Sequence, residues 1–157
     1  MVDIRQCSCP DEITAITRAV MHSLPAWFSP PEDIDRKAVL YRELPFFAAY
    51  DGARAVGLLA LKPHNACTAE IMSIAVLEEF HRRGAGAALL AATEEYLRAG
   101  EYQYMSVKTL DASAGYEPYE RTRNFYGKHG FVPLEVLANH WDEDNPCLFL
   151  VKGLHTA

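Results

Sequence analysis

The chain of 157 residues lacks any apolar run long enough to cross a bilayer. Its longest near-continuous ones, Ala55 to Leu61 and Ala85 to Ala92, fall far short of the roughly 18 residues a membrane helix needs. It also lacks an excess of positive charge. Lys and Arg number 15 against 21 Asp and Glu, a formal charge of -6, so the field of the whole molecule repels nucleic acid and anionic membrane. An anionic ligand must therefore find a local basic patch. Cysteine is sparse: Cys7, Cys9, Cys67 and Cys147 are the only four, and none of them shows the paired spacing of a zinc ribbon. The six histidines include no pair at i, i+4. Reduced structural thiols and no metal are the expectation. The first residues form a short strand-like stretch containing Asp3 and Arg5, without an apolar signal region, so a soluble, cytoplasmic protein is expected.

What the chain does have is the balance of a globular protein, with 50% apolar, 11% aromatic and 23% charged residues. Its length suits one domain, taken as residues 1–157, with a core that buries roughly 68–70% of the unfolded surface without disulfide staples. Val2 to Cys7 reads as a strand. Pro10-Asp11-Glu12 opens a helix whose apolar stripe is Ile13, Ile16, Val20 and Leu24, stopped by Pro25. A Pro-rich segment with Trp27 and Phe28 leads into a second helical pattern, Glu32 to Leu44. Phe46 to Tyr50 and Ala55 to Leu61 flank Asp51-Gly52, a strong hairpin signal.

Thr68 to Leu77 is a third strand-like run that feeds into Gly84-Ala85-Gly86 and an Ala- and Leu-rich helix ending near Gly100. Tyr104 to Leu110 reads as a strand, Tyr119 to His129 as a helix, and Phe131 to Leu137 and Cys147 to Val151 as closing strands. The order β-α-α-β-β-β-α-β-α-β-β predicts an α/β chain with a mixed sheet and helices on both faces.

Three places carry chemistry. Alternation along the third run puts Glu70, Met72, Ile74 and Val76 on one face, with Glu70 among apolar neighbours. Desolvation there would push a carboxyl toward neutrality, as a general base requires, whereas a strand-end position in solvent would leave it ordinary. His81-Arg82-Arg83-Gly84-Ala85-Gly86-Ala87 combines two guanidinium groups with glycines at the positive end of a helix. That makes either an anion cradle suited to phosphates or a tight turn with solvated arginines. Asn124 to Phe131, with Tyr126 inside it, is a helix running through a glycine into a strand.

Together these segments resemble the GCN5-related N-acetyltransferase (GNAT) family, whose signatures are an Arg/Gln-x-x-Gly-x-Gly/Ala turn and a later Phe/Leu-Tyr-x-x-x-Gly-Phe segment. The resemblance spans nearly the whole chain. It implies a central, mostly antiparallel sheet of about seven strands and an acetyl-CoA-dependent N-acetyltransferase acting on a primary amine by direct attack in a ternary complex. By match, Ile74, Ala75 and Val76 line the pantetheine arm of acetyl-CoA. His81, Arg82, Arg83, Gly84, Ala85, Gly86 and Ala87 hold its pyrophosphate, with His81 standing where Arg or Gln is usual. Tyr126 falls on the family's tyrosine, the general acid for the leaving coenzyme A thiolate or a residue that only packs on the cofactor. Glu70, fourteen residues before Gly84, takes the position of the catalytic glutamate of the histone-acetylating branch. A backbone N–H near Ile74 or Val76 would serve the oxyanion. Pairing as a homodimer is a family expectation.

Substrate walls are expected from the Trp27-Phe28 loop, the Asp111 to Pro118 loop and an irregular Asn139 to Pro146 turn, the last two rich in carboxylates. The acceptor stays open among a small-molecule amine, a peptide N-terminus and a lysine. A non-catalytic acyl-CoA sensor is the alternative. A dinucleotide-binding domain fits less well, because the glycine turn follows the fourth strand and Leu89 occupies the place of the third glycine.

Overall fold

Pro10 opens helix α1 (Pro10–His22) at a position where a missing N–H costs nothing, and Asp11 and Glu12 complement the positive end of the helix. The computed structural model describes residues 1–154. In it the α1 stripe Ile13, Ile16, Val20 and Met21 is buried, and each such side chain contributes about 1.5–3 kcal/mol relative to exposure. Helix α2 (Pro31–Leu40) is shorter than its sequence pattern predicts and tightens into a 3-10 turn over Tyr41–Glu43. The reason is Pro45, which forces Leu44 out of helical geometry to an extended φ of -104° and ψ of 154°.

The described chain divides into two compact units. The first comprises Met1–Lys62 and Met72–Gly100, the second Pro63–Ile71 and the chain from Glu101 onward. In the first unit, β1 (Asp3–Cys7), β2 (Phe46–Asp51) and β3 (Arg54–Pro63) form antiparallel neighbours. The β2–β3 hairpin turns on Gly52, whose φ of 61° at the first loop position is one that a glycine adopts without strain. Strand β4 (Thr68–Val76) follows β3 and leads to α3 (Ala85–Ala99). Within this unit helices cover both faces of β2. The ring of Phe47 meets Tyr96 of α3, while Tyr50, three residues along and on the opposite face, donates its hydroxyl to Glu12 of α1 at 2.6 Å.

In the second unit the first half of β4 pairs in parallel with β5 (Tyr104–Leu110), and β5 pairs antiparallel with β7 (Asn145–Gly153). Strand β6 (Val132–Asp142) pairs antiparallel with β7 at the edge, and α4 (Pro118–Lys128) precedes it. The seven strands lie in the order β1-β2-β3-β4-β5-β7-β6, a mixed sheet in which β4 and β5 are parallel neighbours. One expectation is corrected. Asn139 to Asp142 belongs to β6 rather than to an irregular turn, because Asp142 closes a tight hairpin by accepting from the Asp144 N–H at 2.9 Å and from Asn145 Nδ2 at 2.8 Å.

Among the described residues no helix is long and apolar enough to cross a membrane. In the first unit, Tyr41 and Ser73 share a buried hydroxyl pair that fixes the turn after α2 to the second half of β4. Close approach of β3 to β4 depends on Gly57, where a Cβ would lie 3.1 Å from the Ala75 carbonyl oxygen and 3.3 Å from Val76 Cγ2. Gly57→Val is therefore expected to destabilise the protein by about 1–3 kcal/mol through overpacking, read as a lowered urea midpoint at unchanged slope.

Candidate functional site

In the first unit, β4 ends at Val76 and a 3-10 turn over Glu78–Phe80 carries the chain to the start of α3. The entry is tight. Arg82 has φ 62° and Gly84, the N-cap of α3, has φ 82°. A Cβ at Gly84 would meet nothing within 4 Å, so glycine is favoured there by the left-handed backbone rather than by crowding. The first helical bond runs from Ala88 N to Gly84 O at 2.9 Å, and no side chain caps the helix. The N–H groups of Ala85, Gly86 and Ala87 are thus left for an acceptor from outside the helix.

Two cations sit beside these amides. Arg82 and Arg83 are exposed, and neither has a carboxylate partner among the described residues; Arg83 lies over the Phe80 ring at 5.4 Å. His81 behaves differently from its neighbours in sequence. Its Nε2 bonds the Val76 carbonyl oxygen at 2.7 Å, and its ring meets the edge of Trp27 at 5.6 Å, so it ties the turn back to the strand. Ile74 and Val76 are half-buried and Ala75 is buried. Within the second unit, Thr68 to Ile71 of β4 form a parallel ladder with Tyr104 to Val107 of β5.

In the second unit, Glu70 is buried at 7% exposure, but not among apolar groups alone as its sequence neighbours imply. Lys108 Nζ donates to both carboxylate oxygens at 3.1 Å, and His64 Nε2 lies 2.7 Å from Oε1. The register explains the meeting. Glu70 pairs with Ser106 across the parallel ladder, and Lys108, two residues further along β5, projects from the same face. Lys108 Nζ also lies over the Phe149 ring at 5.2 Å. Neither Lys108 nor His64 figured as a functional residue in the sequence. The lone charge in Met105-Ser106-Val107-Lys108-Thr109-Leu110 is the signal that singles out Lys108, whereas His64 carries none.

Tyr126 is buried on α4, its ring edge-on to Phe125 and Phe131 at 5.7 and 5.4 Å. Phe131 N bonds back to Tyr126 O at 3.0 Å, and Gly130 takes φ 91° to make that return. Among the described residues the Tyr126 hydroxyl has no hydrogen-bond partner. Burial, with a smaller contribution from Tyr119, pushes its phenol well above the ordinary tyrosine value, so it stays protonated. Tyr119 is itself pushed up to about 12 by burial and by Tyr116.

The four cysteines are free. Burial pushes the Cys147 thiol up, with Lys108 acting against it and Glu70 with it, which makes that thiol a poor nucleophile. Among the described residues no group of three His, Cys, Asp or Glu side chains could hold a metal ion.

Comparison with known proteins bears on these features. The sequence model of the Acetyltransferase (GNAT) family matches residues 12–131. The Bacillus subtilis (strain 168) protein named uncharacterized N-acetyltransferase YsnE is 26% identical over 146 residues, which is 91% of this chain and 93% of that protein. A GNAT-family crystal structure from Desulfovibrio desulfuricans superposes with a TM-score of 0.85 at 22% identity, covering 99% of this chain and 100% of that one. A GNAT family acetyltransferase from Elizabethkingia anophelis, solved with acetyl-CoA bound, superposes with a TM-score of 0.68 at 20% identity over 97% of each chain. With a family match over most of its length and the corresponding fold, the chain belongs to the GNAT acetyltransferase family.

Proposed function

We propose that the protein transfers the acetyl group of acetyl-CoA to a primary amine by direct attack within a ternary complex. The observation that carries this reading is the entry to α3, where three uncapped helical amides and two arginines without carboxylate partners stand together in a protein of net charge -6. Such a donor set fits a diphosphate: several N–H groups converge, the helix end is positive, and the guanidinium groups add charge-assisted bonds. Arg82, Arg83, Gly84, Ala85, Gly86 and Ala87 would hold the pyrophosphate of acetyl-CoA, which supplies the acetyl thioester. His81, committed to Val76, shapes this turn, and its Val76 bond leaves the phosphates to the arginines and amides.

Ile74, Ala75 and Val76 would line the pantetheine arm with backbone groups, and an N–H near Ile74 or Val76 would donate to the oxyanion that forms as the amine attacks. An acceptor amine is mostly protonated at neutral pH, so one proton must be removed before attack. The buried Glu70 carboxylate, with the groups bound to it, is the centre of that removal. Tyr126 would donate to the departing sulfur. A raised phenol is a weaker acid, but the desolvation that raises it also raises the proton affinity of a thiolate, so donor and acceptor shift in the same direction. The acceptor is taken as a small-molecule amine, a peptide N-terminus or a lysine. Four free thiols and an acetyl-CoA donor fit a cytoplasmic enzyme.

The reading is tested by following free thiol released from acetyl-CoA with a panel of lysine, an alanine-led peptide, spermidine and an aminoglycoside. Amine-dependent release is expected; tight acetyl-CoA binding with no release from any amine would instead identify a non-catalytic acyl-CoA sensor. Tyr126→Phe is expected to lower kcat by about 10²-fold with little change in the KM for acetyl-CoA. The double replacement Arg82→Ala with Arg83→Ala should do the reverse. Loss of two charge-assisted contacts raises the KM for acetyl-CoA by roughly 10- to 100-fold while kcat at saturation holds.

A further inference from the structure

A carboxylate at 7% exposure exchanges protons with bulk water poorly, and both oxygens of Glu70 are already engaged by Lys108 Nζ at 3.1 Å. Oε1 also receives His64 Nε2 at 2.7 Å. Of these three side chains His64 is the one most open to solvent, at 39% exposure against 21% for Lys108 and 9% for Glu70. The tautomer that satisfies Glu70 carries its proton on Nε2, which leaves Nδ1 with its lone pair free. Lys108 is held in turn between the carboxylate and the Phe149 ring.

We propose that His64 is the group that takes the proton from the acceptor ammonium, through Nδ1, directly or by way of one water. Glu70 is the carboxylate that orients the ring and stabilises the imidazolium, and Lys108 holds Glu70 in place. This rests on the reading that the amine is deprotonated at the Glu70 centre. In the step, one ammonium N–H bond breaks and an Nδ1–H bond forms. The electron pair stays on the amine nitrogen, which then attacks the thioester carbonyl; as the C–S bond breaks the nitrogen sheds a second proton, which balances the one that Tyr126 gives to the leaving sulfur, and the imidazolium afterwards returns its proton to water. A histidine held by a carboxylate suits the task because it can face solvent with one ring nitrogen while bonding a buried acid with the other. The charged and titratable groups around the pair are Glu70 on β4, Lys108 on β5 and the buried thiol of Cys147 on β7, with the exposed Cys67 in the same turn as His64.

The test is the pH dependence of kcat/KM for acetyl transfer to the fastest amine of the panel, measured for the wild-type protein and for His64→Gln, His64→Ala, Glu70→Gln and Lys108→Met. The expected result is an acid limb of unit slope in the wild type that His64→Gln abolishes, with kcat about 10²-fold lower and the KM for acetyl-CoA little changed. Added imidazole should restore part of the rate of His64→Ala, which a purely structural histidine would not allow. Glu70→Gln and Lys108→Met should retain the limb at a reduced rate. If His64→Gln keeps both the wild-type rate and its limb while Glu70→Gln is inactive, Glu70 itself is the base and the inference falls alone. If both variants turn over like the wild type, the reading of Glu70 falls with it. A slow His64→Ala that imidazole does not rescue, together with a His64→Gln that keeps the limb, overturns the inference in favour of a structural role. Absence of turnover with every amine of the panel overturns both the inference and the proposed function.

Discussion

Every backbone N–H and C=O of a buried strand needs a partner, and β4 meets that requirement differently along its length. Over Thr68–Ile71 it is bound to β5 by a parallel ladder. In the first unit the second half of the strand has partners of its own. β3 approaches it closely because Gly57 has no side chain, Leu77 N bonds Val56 O at 2.9 Å, and the ring of His81 takes the Val76 carbonyl. The same strand thus presents Glu70 in its first half and leads into the α3 turn from its second. A residue change that alters the register of β4 by one position would exchange its two faces and move Glu70 away from Lys108.

Charge is distributed with the same economy of means. The protein carries a formal charge of -6, yet its two neighbouring arginines at the α3 entry have no carboxylate beside them among the described residues. Several other arginines are paired with carboxylates, such as Arg54 with Glu79 at 2.9 Å and Arg98 with Glu94 at 3.2 Å. The exposed Arg54–Glu79 pair adds little to stability. Arg82 and Arg83 stand instead beside uncapped helical amides, a donor set of the kind that suits an anion.

Much of this was legible in the chain itself. Period and punctuation located every helix and strand, and the Asp51-Gly52 and Gly84-Ala85-Gly86 signals correspond to backbone at φ 61° and 82°. The two departures in the elements have plain local causes. Leu44 leaves the helix because a proline follows it, and the edge strand β6 continues through polar residues because Asp142 organises its turn with its own side chain. Alternation marked Glu70 as facing with Met72 and Ile74, but it made the surroundings of that carboxylate apolar, because alternation describes one strand and not its neighbour.

The sequence by itself determined the elements, the glycine that takes a left-handed conformation, the cluster of arginines at a helix start and the position of Tyr126, since these depend on spacing and on local backbone preference. Only the tertiary structure decided what surrounds Glu70. Lys108 is 38 residues away and His64 lies across a turn, and they converge on one carboxylate because a parallel ladder sets β5 beside β4 in a register that no local pattern records. The burial of the Tyr126 phenol belongs to the same class, because how far a group is desolvated is settled by the elements that close over it rather than by the residues next to it in the chain.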